Sequence, residues 1–562
     1  MIHQKSIISL ILTLLILLSS CVSRKPVDYS IFPKGAILTG KMKNGDNLYI
    51  VRENPLTMEG FCFIDNNQAV VEKFNFVADT TGKANFIYQN ESFSGKVSVN
   101  HKLQEIKLKL SKVPVLQIDK QTVKLLFIDQ ISEIDECFER FKNPIFEKID
   151  VSKNIEYGRD EGFYTSLPME HLSNDELWEM VKLMVNTHIK TKLLKKEATI
   201  PLELDIYHPA NDALDKCPIF VYLHGGAFMF GDKENKFQHA LTDYLVKRGF
   251  IVASINYRLG YSLLGTAATE RTIYRNVQDT RAALRFLMFH KNKYRIDDTQ
   301  IYLAGSSAGG IIALTTAFMD DNEVFSSIGE NRWLLRKDLG GLDNVGNNLK
   351  TNFKVAGTVS LWGAVTDLQI LNNNIPTLLM HGTADDIVPA GKGLPLKKYM
   401  GKNVYNVFSE FWKTTSDWNL YGSEPIHNSL KSSKTPVKYI PFHDFGHDLY
   451  LDEEGNLSEN MDIICNEIGD FLFENVYRQY FNCDLKGKTS VSKKEIPPRY
   501  LLSNTENKTV QWQVEGGLII QQTDNSIDVI WFNSYKNGTI TACISNQNGV
   551  SIKKEMIVKI DD

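Results

Sequence analysis

The sequence has no CxxC pair, no block of like charge and no apolar run long enough to span a bilayer as a helix. Its seven cysteines, Cys21, Cys62, Cys137, Cys217, Cys465, Cys483 and Cys543, stand far apart, which excludes zinc knuckles and thioredoxin-like redox motifs. Basic and acidic residues number 63 and 67 and are interspersed, so the concentrated positive surface that nucleic-acid binding demands is missing. No cluster with metal-ligand spacing is visible, and no metal or organic cofactor is expected. At 562 residues the chain is too long for a single core, and several domains are expected.

Near the beginning, Lys5 precedes the apolar stretch Ile7 to Leu18, interrupted only by Ser9 and Thr13. Such a run suits the core of an export signal. It ends in Leu18-Ser19-Ser20-Cys21, which resembles the bacterial lipoprotein cleavage box. The resemblance implies removal of residues 1–20, lipidation of Cys21, and an exported protein held at a bacterial membrane, outer membrane or cell surface. Stable anchoring needs more than one acyl chain, which a lipoprotein cysteine supplies.

Residues 21–130 read as a small β-rich domain. Val97 and Val99, then Ile106, Leu108 and Leu110, alternate with polar residues, and Asn44-Gly45 and Asp65-Asn66-Asn67 are turn signals. Thr39-Gly40, Glu59-Gly60 and Ser94-Gly95 each precede such a stretch and suggest repeated hairpins. No catalytic constellation stands here, and a spacer or binding module is expected.

A polar, helix-leaning connector covers roughly 130–195, and a new regime begins with Pro201 to Ala210. Short apolar runs then alternate with helical patterns: Ile219–Leu223, Ile251–Ile255, Gln300–Ala304, Val355–Leu361, Thr377–Met380 and Val437–Pro441. Between them, Asn276–Phe289 places Val277, Thr280, Leu284, Leu287 and Met288 on one helical face. The alternation predicts an α/β domain over 131–490, a mostly parallel sheet covered by helices. Residues 491–562 read as a β-sandwich: Trp512, Gly516-Gly517, Trp531 and Gly549 resemble PKD-like or Ig-like modules of bacterial surface proteins.

The chemistry concentrates in the α/β region. Tyr302 to Ile311 carries Gly305-Ser306-Ser307-Ala308-Gly309, a G-x-S-x-G between an apolar run and helix formers. A sharp strand-to-helix turn of this kind exposes the serine hydroxyl, and glycines at both ends leave it room. A serine nucleophile needs a base and a binding site for the oxyanion. Phe220 to Phe228 ends a strand in His224-Gly225-Gly226-Ala227, where glycines let a substrate carbonyl approach backbone N–H groups. Thr377 to Pro389 carries an acid after a strand, Asp385 or its neighbour Asp386. Val437 to His447 carries a base after the next one, His447 or the earlier His443, expected still on the strand.

Together HGGAF, INYRLG (Ile255 to Gly260), GSSAGG, HGTADDIVP and FGH resemble the carboxylesterase/lipase group of α/β-hydrolases over roughly residues 150–480. The resemblance implies the α/β-hydrolase fold, a catalytic triad of Ser307, Asp385 and His447, and an oxyanion hole of Gly225, Gly226 and Ala308. His224 and His381 fall at motif positions that support loops. Two departures stand out: Ala227 where many relatives have a third glycine, and Asp386 where proline is frequent. Two insertions, 320–351 with Trp333, Leu334 and Leu335, and 401–435 with Phe408, Phe411, Trp412 and Trp418, are candidates to cap the pocket.

The expected activity is hydrolysis of carboxylic esters through an acyl-enzyme, on short-chain or carbohydrate-linked acyl groups such as acetylated or feruloylated polysaccharide. Partners are then a small-molecule or polysaccharide-linked ester and a membrane, with no nucleic acid. Other readings stay open: a serine exopeptidase of the same fold, and a surface-anchored binding protein with an inactive hydrolase domain. Ala308 stands where exopeptidase elbows usually carry an aromatic, which favours esters.

Overall fold

The computed structural model describes residues 37–561, apart from 44–46, 53–57, 66–69, 80, 89–90, 101–104, 111–119, 129–136, 138, 169–197, 261–265, 331–336, 397–418, 493–496, 532–534 and 547–549. The chain divides into two compact units, one of Met1–Cys137, Cys483–Ile544 and Lys553–Asp562, the other of Phe138–Asn482 and Ser545–Ile552. Cys21 and the apolar run before it lie outside the described residues.

In the first unit, eight strands form a closed antiparallel barrel in chain order: β1 (Ile37–Lys41), β2 (Asn47–Arg52), β3 (Met58–Asp65), β4 (Val70–Ala78), β5 (Lys83–Tyr88), β6 (Glu91–Asn100), β7 (Glu105–Leu110) and β8 (Gln121–Ile128). β1 pairs with β8, so no edge is left to template aggregation. The alternation closes the core: Ile106, Leu108, Leu110, Val123 and Leu125 are buried, while Lys107, Lys109 and Lys124 face solvent. Gly40, Gly60 and Gly95 sit inside β1, β3 and β6 rather than ahead of alternating stretches. At Gly40 a Cβ would lie 2.0 Å from the Lys124 carbonyl oxygen across the closing seam, so β1 and β8 meet only because no side chain is there.

The C-terminal strands form two four-stranded sheets. One is ordered β19 (Leu485–Lys486), β21 (Arg499–Leu502), β24 (Ser526–Trp531), β23 (Gly517–Gln522), and the other β20 (Ser490–Ser492), β26 (Ser551–Asp561), β25 (Asn537–Asn546), β22 (Lys508–Glu515). Buried Trp531 donates its indole N–H to the Tyr500 hydroxyl at 3.1 Å and lies against Gly538, where a Cβ would come within 2.0 Å of the ring. A disulfide joins Cys137 to Cys543, two residues 406 apart in sequence.

The second unit is built on an eight-stranded sheet. From one edge it runs β9 (Ile149–Gly162), β10 (Ala198–Pro209), β12 (Ile251–Ile255), β11 (Cys217–Leu223), β13 (Ile296–Ser306), β14 (Val355–Leu361), β15 (Thr377–Gly382) and β18 (Val437–Phe442). β10 pairs antiparallel with both neighbours, and β12 through β18 are parallel. Every residue of β11 and β12 is buried, which is why they read as unbroken apolar runs. A short ribbon of β16 (Lys392–Gly393) and β17 (Leu420–Tyr421) lies between β15 and β18 in sequence.

Around the sheet lie α1 (Lys236–Val246), α2 (Thr266–Phe289), α3 (Ala308–Phe318), α4 (Ser423–Ser432) and α5 (Glu459–Tyr480). The Asn235 side chain caps α1 by accepting from the Gln238 N–H at 2.8 Å. The face of α2 marked by Val277, Thr280, Leu284, Leu287 and Met288 is buried.

One expectation is corrected. The polar stretch read as a helix-leaning connector contains β9, a 14-residue edge strand. Among the described residues β9 pairs with one strand, β10, and most of its residues face solvent, so it carries Asp, Lys, Asn, Glu and Arg and shows no apolar alternation. Among the described residues, no helix is long and apolar enough to cross a membrane.

Candidate active site

Because β11, β13, β14, β15 and β18 run parallel, their carboxyl ends share one edge of the sheet, and all the candidate groups emerge there. β13 stops at Ser306 and α3 starts at Ala308, which leaves Ser307 alone to make the turn, at φ 54° and ψ −119°. A serine in that region carries strain of about 1–3 kcal/mol, held in place by the surrounding packing. The Ser307 N–H donates to the Leu361 carbonyl at 2.8 Å, locking the turn onto β14. A Cβ on Gly305 would sit 2.3 Å from the Gly309 carbonyl carbon, so the crossing of strand and helix requires both glycines.

His447, in the loop after β18, points Nε2 at the Ser307 hydroxyl, 2.9 Å away, and Nδ1 at Asp385 Oδ2, 2.7 Å away. With the carboxylate fixing the hydrogen on Nδ1, Nε2 is left to accept the serine proton. The other oxygen of Asp385 accepts from the Ile387 and Val388 amides at 2.8 and 2.9 Å. Burial pushes the Asp385 carboxyl up, but hydrogen bonds from His381 and then His447 outweigh it and hold the group well below the usual carboxylate range. The acid and base loops are tied together: Thr383 N–H donates to Phe442, Ala384 N–H to Phe445, and Asp444 N–H to the Thr383 hydroxyl. Asp386 is exposed, and His443 is exposed just beyond the end of β18 rather than on the strand.

The turn after β11 wraps over the serine. Gly226 has φ 112°, and Ala227 and Phe228 follow at 50° and 61°, three consecutive left-handed residues. A Cβ on Gly225 would lie 3.3 Å from that of Ser307, so the turn lies directly against that serine. Met229 and Phe230 N–H groups both donate to the Gly226 carbonyl at 2.9 Å, closing the turn. The Tyr257 hydroxyl donates to the His224 carbonyl at 2.7 Å, and its ring stacks on the imidazole at 4.4 Å. Burial pushes His224 down to about 4, leaving a neutral ring whose Nδ1 donates to the Gly225 carbonyl at 2.7 Å. Among the described residues, the N–H groups of Gly225, Gly226, Ala227 and Ala308 meet no protein acceptor.

The Arg of INYRLG supports this edge from behind. Buried Arg258 forms an ion pair with buried Asp279 of α2 at 2.7 Å, and Asn256 accepts from the Lys233 N–H at 2.6 Å beyond the turn.

Several contributors are not apparent in the sequence reading. Trp362, at φ 41° after β14, meets the His447 ring edge-on at 6.5 Å and stacks on Tyr450 at 5.4 Å; Phe237 of α1 closes the cluster. Their positions alternate among three elements, so no motif links them. Ser423 is a second omission: it stands 2.9 Å from Nδ1 of His381, the loop-supporting histidine, whose Nε2 lies 3.2 Å from Asp385. The cap residues Trp333, Leu334, Leu335, Phe408, Phe411, Trp412 and Trp418 lie outside the described residues.

The strand order, the strained serine turn and the loops converging on it define an α/β-hydrolase fold. Residues 204–375 match the BD-FAE family model. A non-reducing polyketide synthase, pkbA, of Emericella nidulans is 29% identical over 132 residues, which cover 24% of this chain and 5% of the synthase. Carboxylesterase 3B of Mus musculus is 33% identical over 113 residues, 20% of this chain and 19% of the esterase. The chain thus spans a fifth or less of the length of these two relatives. Among solved structures, Thermogutta terrifontis esterase 2 phosphonylated by cyclosarin aligns over 49% of this chain and 90% of its own, at 17% identity and a TM-score of 0.33.

Proposed function

We propose that the chain is a serine esterase that hydrolyses carboxylic esters through an acyl-enzyme. The observation carrying this reading is the unbroken hydrogen-bonded line from Ser307 Oγ through His447 to Asp385, at 2.9 and 2.7 Å. His447 Nε2 takes the Ser307 proton as Oγ attacks the ester carbonyl. The negative oxygen that forms is met by the free amides of Gly225, Gly226 and Ala308, each important donor being worth about 3–4 kcal/mol. Ala227, whose N–H likewise meets no protein acceptor among the described residues, joins them as a candidate. His447 then protonates the departing alcohol, and water deprotonated by His447 releases the acid. Asp385 holds the imidazole tautomer and stabilises its charged form.

The substrates proposed are short-chain or carbohydrate-linked acyl esters, and the test is hydrolysis of p-nitrophenyl acetate and butyrate by protein lacking residues 1–21. Activity that vanishes in Ser307→Ala supports the reading. Folded protein that hydrolyses neither ester and leaves a fluorophosphonate unreacted argues for the inactive binding module instead.

Export and lipid anchoring through Cys21 belong to the same proposal. The Cys137–Cys543 disulfide supports it, because such bonds persist in oxidising compartments outside the cytosol. Loss of membrane association in Cys21→Ala is the expected result, and unchanged association sinks the anchor. The C-terminal sandwich is then a PKD-like spacer or binding module.

A further inference from the structure

We infer that His381 and Ser423 are positioning residues that extend the triad backward, holding the Asp385 carboxylate at the angle His447 requires. This rests on the esterase reading above.

His381 is the penultimate residue of β15 and is fully buried, as is the Asp385 side chain. Its Nε2 lies 3.2 Å from Asp385 Oδ2, the oxygen that also receives His447 Nδ1 at 2.7 Å, and 3.0 Å from the Val388 carbonyl oxygen. Both neighbours of Nε2 are acceptors only, so that nitrogen carries the hydrogen. Nδ1 of that tautomer then accepts, and the Ser423 hydroxyl stands 2.9 Å from it with a proton to give. The opposite tautomer would aim a lone pair at two oxygens.

Ser423 is itself fixed. It is buried at the first position of α4, next to Gly422, where a Cβ would fall 1.9 Å from the Pro389 carbonyl oxygen. The Gly422 and Glu424 N–H groups donate to Gly391 and Ala390 at 2.9 and 3.0 Å. The start of α4 is thereby bound to the same loop that supplies the Ile387 and Val388 amides to Asp385 Oδ1. Val388 closes a ring: its N–H holds one carboxylate oxygen, while its carbonyl shares the His381 proton with the other.

Oδ2 thus has two imidazole nitrogens within reach, His381 Nε2 at 3.2 Å and His447 Nδ1 at 2.7 Å. Among the hydrogen bonds that keep Asp385 ionised against its burial, the one from His381 is the largest, ahead of that from His447. The chain of contacts runs Ser423, His381, Asp385, His447, Ser307, each link between atoms 3.2 Å apart or less. Nothing but Ser307 and His447 in it needs to touch substrate.

The experiment compares His381→Phe, His381→Gln and Ser423→Ala with wild type in the full-length protein, using steady-state hydrolysis of p-nitrophenyl butyrate. Fluorophosphonate titration counts competent sites, and melting temperature checks folding. His381→Phe is expected to lower kcat about 10- to 100-fold with KM within about twofold, the range typical of outer partners that orient an active-site group. His381→Gln is expected to recover most of that loss, because its amide nitrogen reaches the Nε2 position and donates. Ser423→Ala, which keeps the imidazole but frees its tautomer, is expected to lower kcat by less than about tenfold. Wild-type kcat in both His381→Phe and Ser423→Ala would overturn the inference, as would equal losses in the Phe and Gln variants at matched melting temperature. Wild-type protein inert to both ester and fluorophosphonate would overturn the esterase reading and this inference with it, whereas an active wild type with indifferent variants sinks the inference alone.

Discussion

Gly309 and Leu223 approach so closely that a Cβ on the glycine would lie 2.1 Å from the leucine carbonyl oxygen, and 2.6 Å from that of His224. This contact sets the first turn of α3 against the end of β11, and so fixes Ser307 beside the glycine turn. Gly309→Ala is therefore expected to destabilise the protein by about 3 kcal/mol or more, because backbone on both sides must shift. Gly329→Ala, where nothing among the described residues lies within 4 Å, should stay within about 0.5 kcal/mol of wild type. Urea denaturation of the two variants checks the difference.

Asp385 and Asp386 are adjacent, yet only the first reaches His447. Asp385→Asn should reduce kcat by about 10⁴-fold, the loss expected when the imidazole adopts the wrong tautomer. Asp386 is exposed, and its replacement by asparagine should leave kcat within about twofold. Steady-state rates on p-nitrophenyl butyrate distinguish the two acids.

His224 links stability to pH. Among the described residues its buried Nε2 meets no partner, and burial pushes the imidazole from 6.5 down to about 4. The unfolded chain binds a proton at this residue below about 6.5 while the folded chain does not until about 4, so its contribution is full above that window. It is lost as the pH falls from about 6.5 to about 4, by roughly 3 kcal/mol in all. Urea midpoints measured across that range should fall with acid in the wild type and fall less steeply in His224→Gln.

Cys217 and Cys465 are buried, and desolvation pushes both thiols up to about 12. The thiolate is the reactive form, so neither should be alkylated in the folded protein at pH 8. Peptide mapping after iodoacetamide treatment, with and without denaturant, should find both modified only in the unfolded chain.

The sheet, and the sheet edge at which Ser307, Asp385 and His447 meet, were legible because fully buried parallel strands must be apolar throughout and because the serine turn demands glycine at fixed spacing. Ile251–Ile255 and Val355–Leu361 stand in the structure with the bounds read from the sequence. β9 was missed for the converse reason, since an edge strand with its face in water has no apolar signature. The barrel's closure was equally invisible, because the pairing of β1 with β8 joins residues about 90 positions apart. His381 and Ser423 illustrate a third limit: they lie 42 residues apart, and only the folded chain shows which atom each presents to the other.

The bond between Cys137 and Cys543 makes the intervening polypeptide a covalent ring, and residues 138–482 lie wholly inside it. A single peptide-bond cut anywhere within that ring opens it without producing two molecules. A nicked chain would migrate intact on a non-reducing gel and separate only when a thiol is added. Backbone scission and loss of residues 138–482 from the rest of the chain thus become two events rather than one.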